Sequence, residues 1–425
     1  MAVWMAAGLA LVTPGACTTL PTQPPGEGRG GASLHLLPQQ PFGAACLDGS
    51  PPAFWLVPGA ESSKFMINFE GGGWCTSLDD CAGRAGGRKG SSNNLPNPLD
   101  LQELIASWGT WYFSTDPAIN PVMHNWTMVE VLYCDGASWS GNNATPTVHG
   151  GKQLHFKGRA NLDALFATLT AKHGLRSATD VVVSGGSAGA LAVFLHADAI
   201  RAMLPPAARV AALPDDGFFM DNAYARASGW VAAQQWVFAQ HNATAGVAPA
   251  CLAAYPEPEH WRCFFAQYAA PHVATPLFAL QPAYDAYQTS AELHSTAPAQ
   301  VNAYGANLTA TLIMAVRARP INGVYLDGCW HHSGGWPAMQ ARRASDNSWQ
   351  SPMGAFAEWW AAGDGATGDW LWRTPTFGTL PSGASASPFP CRGCCPCTPN
   401  QTSANFKQGC AVYPSQSVAA VPSPP

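Results

Sequence analysis

Asp180-Val-Val-Val-Ser-Gly-Gly-Ser-Ala-Gly-Ala190 is the stretch whose reading decides the fold of this 425-residue chain. Val181, Val182 and Val183, three β-branched residues in a row, form a short apolar run of the kind that becomes a buried strand. Gly185-x-Ser187-x-Gly189 follows at once, and Ala190 to Ile200 holds helix formers with no Gly or Pro. The order is strand, sharp turn, helix. Such a turn holds its central residue in strained geometry at the C-terminal edge of a sheet, with small neighbours keeping the chain out of the way. Ser187 is therefore the candidate nucleophile. N–H groups at the start of the following helix, Ala188 first, point at the place where an acyl oxyanion forms. Gly-Gly-Ser-Ala-Gly alone also reads as a flexible loop; the strand before it and the helix after it carry the assignment.

Working outward, Phe65 to Phe69 is a strand-length run ended by Glu70-Gly71-Gly72-Gly73-Trp74-Cys75. Glycines after a strand let backbone N–H groups approach a ligand with no Cβ in the way, so Gly72 and Gly73 are candidates for the second half of an oxyanion hole. A bulge or plain loop is the structural alternative. Met128 to Cys134, Arg209 to Pro214, Thr275 to Leu280 and Ile321 to Leu326 read as further strands, the last of them closing the series. Helical stretches alternate with them, one opening at Lys157 and running through Leu169. Asn142 to Gly151 reads as a polar surface loop, and Asn242 to Tyr268 as a helical or irregular excursion. Ala355 to Ala362 suggests a closing helix packed by Trp359 and Trp360. Alternation of this kind predicts an α/β fold with a mostly parallel central sheet flanked by helices, whose sites form outside the carboxyl ends of the strands.

A serine nucleophile needs a base, and the base needs an orienting carboxylate. Ser187, Asp285 and His332 each lie just past a predicted strand, in the chain order Ser, Asp, His. His331 competes for the base, and Asp215, Asp216 and Asp327 compete for the acid.

Composition narrows the class. Charged residues are 11% of the chain, against about 25% in typical soluble domains. A net charge of -5 argues against a nucleic-acid partner, and no apolar run reaches the ~18 residues of a membrane span. Thirteen cysteines, with the sequons at Asn125, Asn143, Asn242, Asn307 and Asn400, point to an oxidising, glycosylating route and to secretion. Cys75 with Cys81, and Cys251 with Cys263, are spaced to pair; Cys46 is a further half-cystine. The expected organisation is a signal peptide over 1–17 and a disordered leader over 18–33. The catalytic domain follows over 34–380, then a Pro/Ser linker and Cys-rich tail over 381–425. In that tail Cys391, Cys394, Cys395, Cys397 and Cys410 read as a disulfide knot rather than a metal site.

Several ordered blocks share one resemblance. They are Cys46-Leu-Asp-Gly-Ser50, Glu70-Gly-Gly-Gly-Trp-Cys75, Tyr133-Cys-Asp-Gly136, Gly185-Gly-Ser-Ala-Gly189, Asp215 with Gly217-Phe-Phe-x-Asp221, Pro276-Leu-Phe278 running to Tyr284-Asp285, and Cys329-x-x-His332. From Leu37 to Pro390 the chain resembles the pectin acetylesterase family, which includes the Notum carboxylesterases. The resemblance implies an α/β-hydrolase-like fold and ester hydrolysis without metal or organic cofactor. It assigns Ser187 as nucleophile, Asp285 as acid, and His332, three residues after Cys329, as base. Gly72, Gly73 and Ala188 take the oxyanion-hole positions, and Asp215 and Asp221 a structural role. Asp216 and His331 stand where plant members carry small residues.

The expected function is therefore that of a secreted, monomeric serine carboxylesterase acting on an acetylated, pectin-like polysaccharide. A deacylase of longer-chain lipid-type esters is the alternative enzyme. A secreted carbohydrate-binding protein with a dead site is the alternative outside catalysis.

Overall fold

The computed structural model describes residues 31–100, 111–333, 341–363 and 365–373. The expected signal peptide, the sequon at Asn400 and the Cys-rich tail lie outside these residues.

An eleven-stranded sheet runs through the chain. Its first half contains β1 (Ser33–Leu36), β2 (Ala53–Val57), β3 (Glu61–Phe69), β4 (Trp126–Val131) and β7 (Asp180–Gly186). The second half contains β8 (Arg209–Asp215), β9 (Phe278–Pro282), β10 (Gly323–Asp327), β11 (Ala341–Arg343), β12 (Trp349–Gln350) and β13 (Leu371–Arg373). The spatial order is β1-β2-β4-β3-β7-β8-β9-β10-β13-β11-β12. From β4 to β13 every pairing is parallel; antiparallel strands finish both edges. The α/β class with a mostly parallel central sheet is the observed one.

Strand side chains alternate between faces, and both faces are covered. Phe65, Ile67 and Phe69 of β3, with Val181 and Val183 of β7, enter one apolar cluster. Met66 and Val182, between them in sequence, enter another on the opposite face. Uninterrupted apolar runs are what such two-sided burial demands. Helices Gly158–Lys172, Ala188–Met203 and Pro298–Val316 supply the first cluster with residues such as Leu165, Val193 and Leu308. Helix Pro352–Ala362 covers the other face with Phe356 and Trp359.

Disulfides join Cys46 to Cys134, Cys75 to Cys81 and Cys251 to Cys263. Among the described residues no helix is long and apolar enough to cross a membrane.

Several boundaries differ from the sequence reading. Ala32 is fully buried and bridges to Leu99, and Ser33 already belongs to β1, so the last residues of the expected leader are part of the fold. Part of the expected loop after Asn142 forms a hairpin of β5 (Thr147–His149) and β6 (Lys152–Leu154) around Gly150 and Gly151. β10 is not the last strand: β11, β12 and β13 follow, each of two or three residues, too short to show a period.

Candidate active site

β7 ends at Gly186, and the next residue takes φ 56° and ψ -121° at the N-cap of helix Ala188–Met203. A non-glycine residue pays about 1–3 kcal/mol for such geometry and keeps it only where its surroundings impose it. Here the Ser187 N–H is held by the Asp215 carbonyl at 2.9 Å. The helix starts so close to β3 that a Cβ on Gly189 would stand 1.9 Å from the Phe69 carbonyl oxygen. The small residues of the motif are thus a packing requirement of the strand-turn-helix unit.

Two other strand ends bring partners to Ser187. Past β10, His332 places Nε2 2.8 Å from Ser187 Oγ. Past β9, Asp285 places Oδ2 2.8 Å from His332 Nδ1. Asp285 is fully buried and is held from three sides. Its Oδ1 caps helix Ala286–Ala291 by accepting the Gln288 N–H at 2.9 Å, and its Oδ2 also accepts from Gln281 Nε2 at 3.2 Å. Tyr287 stacks on the His332 ring with centroids 5.2 Å apart. A carboxylate on Nδ1 keeps the proton there and leaves Nε2 free to accept the hydroxyl proton of Ser187.

The competing residues are committed elsewhere. His331 Nε2 lies 3.1 Å from Asp327 Oδ2, whose other oxygen accepts the Cys329 N–H at 2.7 Å. Burial lowers the proton affinity of His331, but Asp327 beside it, together with the Asp215 and Asp285 charges, makes the net shift upward. Asp215 accepts a hydrogen bond from the Tyr112 hydroxyl. Asp216 accepts the Ser333 N–H; burial first, then the nearby Asp215 and Asp285 carboxylates, push its carboxyl well above the usual range. Asp221 is paired with Arg226 and Tyr268.

The glycine loop after β3 abuts the turn at Ser187: a Cβ on Gly71 would lie 2.6 Å from the Gly186 carbonyl oxygen and 3.0 Å from Ser187 Cβ. Its carbonyls are anchored one by one. Lys89 Nζ donates to Gly71, Arg84 Nη1 to Gly72 at 2.7 Å, and Tyr133 Oη to Gly73 at 2.6 Å. A trans peptide carries its C=O and the following N–H on opposite sides. The anchors therefore turn the N–H groups of Gly72, Gly73 and Trp74 away from these side chains. The sequence reading found the glycines but not Arg84, Lys89 or Tyr133, which arrive through tertiary contacts. Ala188 is the first residue of its helix, so its N–H has no acceptor within the helix.

Beneath the loop Glu70 is paired with Arg88 and Lys89 and accepts the Tyr133 N–H at 2.9 Å. Glu130 accepts from Asn68 Nδ2 at 2.6 Å. Burial, and then the Glu70 charge, push Glu130 up to about 8 from its ordinary 4.5, against the pull of Asn68, Arg88 and Lys89. A carboxyl whose folded value is raised favours the neutral form. Its contribution to stability is full below the unfolded value and declines as pH climbs toward the folded one. Glu130→Gln keeps an acceptor for Asn68 without the charge. Thermal unfolding should find it equal to wild type at about pH 5 and more stable above about pH 8.

A cavity of about 730 Å³ opens over Ser187 and His332. Gly72, Gly73, Thr76, Asp80, Arg84 and Lys89 form one part of its lining; Trp230, Ala233, Gln234, Tyr287 and Ala291 form another. Among the described residues, two groups of side chains have donor atoms close enough together to hold a metal ion. Cys75 and Cys81, beside His241, are joined in a disulfide and offer no thiolates. Asp216, Asp285 and His332 form the other, but Asp285 and His332 already share a hydrogen bond.

The Pectinacetylesterase family model matches residues 29–362, more than half of the chain. The chain belongs to the pectinacetylesterase family. That family is one of carboxylic ester hydrolases. Among its relatives, "Pectin acetylesterase 11" of Arabidopsis thaliana is 30% identical, over 83% of this chain and 90% of its own length. "Pectin acetylesterase 7" of the same plant is 34% identical over 60% of this chain and 62% of its own. "Palmitoleoyl-protein carboxylesterase NOTUM" of Homo sapiens is 28% identical over 61% of this chain and 52% of its own. The chain therefore spans less than two thirds of the length of two of these three.

Proposed function

We propose that this member of the pectinacetylesterase family is a secreted serine esterase that removes O-acetyl groups from an acetylated, pectin-like polysaccharide. The observation that carries the proposal is the hydrogen-bonded chain Ser187–His332–Asp285 at the floor of the cavity. Ser187 Oγ attacks the acyl carbonyl while His332 Nε2 takes its proton, and Asp285 stabilises the imidazolium that forms. The developing oxyanion is met by N–H groups of Gly72, Gly73 and Ala188, each donor contributing about 3–4 kcal/mol to the barrier reduction. His332 returns the proton to the leaving sugar oxygen. Water, activated by the same imidazole, then hydrolyses the acetyl-enzyme and releases acetate.

A polar substrate is favoured by the lining. Asp80, Arg84, Lys89 and Gln234 share the cavity with Trp230 and Tyr287, whereas a slot for an aliphatic chain is apolar along its length. Secretion is supported by the disulfides and by exposed sequon asparagines at Asn242 and Asn307. The longer-chain reading draws on the aromatic cluster of Trp74, Phe219, Trp230 and Tyr287 beside His332. Acetate release from acetylated pectin and acetylated xylan, alongside p-nitrophenyl esters of short and medium chain, separates the two. Robust release from pectin with preference for the acetyl ester is expected. No release from either polymer, with the medium-chain ester cut fastest, transfers the function to lipid-type esters; no turnover of any substrate leaves a binding protein.

A further inference from the structure

We infer that Arg84 selects acidic sugars, its guanidinium binding the carboxylate of a uronate in the polysaccharide seated over Ser187; this rests on the polysaccharide reading above and narrows it to one class of sugar. Arg84 is the last residue of helix Leu78–Arg84, and it lines the cavity on the side of the glycine loop. The part of the lining formed by Trp230, Ala233, Gln234, Tyr287 and Ala291 carries no charge.

The guanidinium is held from two directions and open on a third. Nε is paired with Asp80 Oδ1 at 3.3 Å, and Nη1 donates to the Gly72 carbonyl at 2.7 Å. Nη2, with both its N–H groups, has no hydrogen-bond partner among the described residues. The side chain is 22% exposed, so solvent reaches it and its open donors cost the free protein little. Nη2 stands 3.4 Å from the point that a Cβ on Gly73 would occupy. The open donors therefore lie beside the loop whose N–H groups are proposed to meet the oxyanion. Lys89, the other cation of this lining, is occupied by the Gly71 carbonyl and by Glu70.

The chemistry of the group selects its partner. A guanidinium only donates, and it does so from a planar fork that matches a carboxylate. Hydrogen bonds between two charged groups are roughly twice as strong as neutral ones, so a sugar hydroxyl is the weaker partner and an aliphatic chain is none. With Nε and Nη1 already fixed, the fork has little freedom left to lose on binding.

The test compares acetylated polygalacturonate with the same polymer after methyl esterification, which removes the charge and keeps the acetyl groups. Wild type, Arg84→Gln and Arg84→Lys are assayed on both and on p-nitrophenyl acetate, and thermal unfolding of each reports folding. Arg84 also anchors Gly72, so Arg84→Gln should slow every substrate; the ratio of kcat/KM for the acidic polymer to that for its methyl ester removes this common loss. The expected ratio is about 10 or more in wild type, about 1 in Arg84→Gln, and at least about 3 in Arg84→Lys, which restores the charge without the fork. A wild-type ratio near 1, or a folded Arg84→Gln that keeps the wild-type ratio within about 2-fold, overturns the inference while leaving the polysaccharide reading in place. Wild type that cleaves p-nitrophenyl acetate but releases nothing from either polymer overturns both.

Discussion

Ser187→Ala is expected to lower kcat for acetate release by about 10⁵- to 10⁶-fold, with the fold intact. The magnitude follows from losing the nucleophile of a unit whose members act together. In this protein Ser187 Oγ is the hydroxyl hydrogen-bonded to His332 Nε2, at 2.8 Å. Residual turnover should remain above the uncatalysed rate, because the N–H groups proposed as the oxyanion hole would still polarise the carbonyl. The double variant Ser187→Ala/His332→Ala should be scarcely worse than the single, since the base has no function without the nucleophile. Steady-state acetate assays on the three proteins check this. A serine variant that keeps more than about a hundredth of wild-type kcat would remove Ser187 from the chemistry.

Asp285→Asn should cost about 10⁴-fold in kcat, the scale expected when the orienting carboxylate is replaced by an amide that favours the wrong imidazole tautomer. The change is close to isosteric, and Oδ1 can still cap helix Ala286–Ala291 through the Gln288 N–H. The loss should therefore fall on kcat, with little change in Tm. Asp327→Asn is the contrast. It touches His331 rather than His332, so activity should fall by less than about 10-fold while stability drops through the lost His331 contact. Equal losses from the two substitutions would mean that the acid has been misassigned between them.

Much of this was legible in the chain because it is encoded locally. Val181 to Val183 followed by Gly-x-Ser-x-Gly and a helix-forming run describes the strand, turn and helix in consecutive residues. Burial on both sheet faces requires just such unbroken apolar runs. The spacing of Cys75 with Cys81 and of Cys251 with Cys263 lies within loops short enough to be read as pairs. Short edge strands such as Leu371–Arg373 were not legible, because three residues carry no period and their pairing comes from a neighbour distant in sequence.

The sequence by itself determined the α/β class, the elbow at Ser187, the glycine loop and the succession Ser187, Asp285, His332. Choosing between His331 and His332 from residues alone was open, since adjacent side chains leave the backbone in different directions. Only the folded geometry sends one to Asp327 and the other to Ser187. The anchoring of the glycine carbonyls by Arg84, Lys89 and Tyr133 likewise belongs to the tertiary structure alone. Hydrogen bonds of this kind depend on distances between residues far apart in the chain, and no local pattern of residue types specifies them.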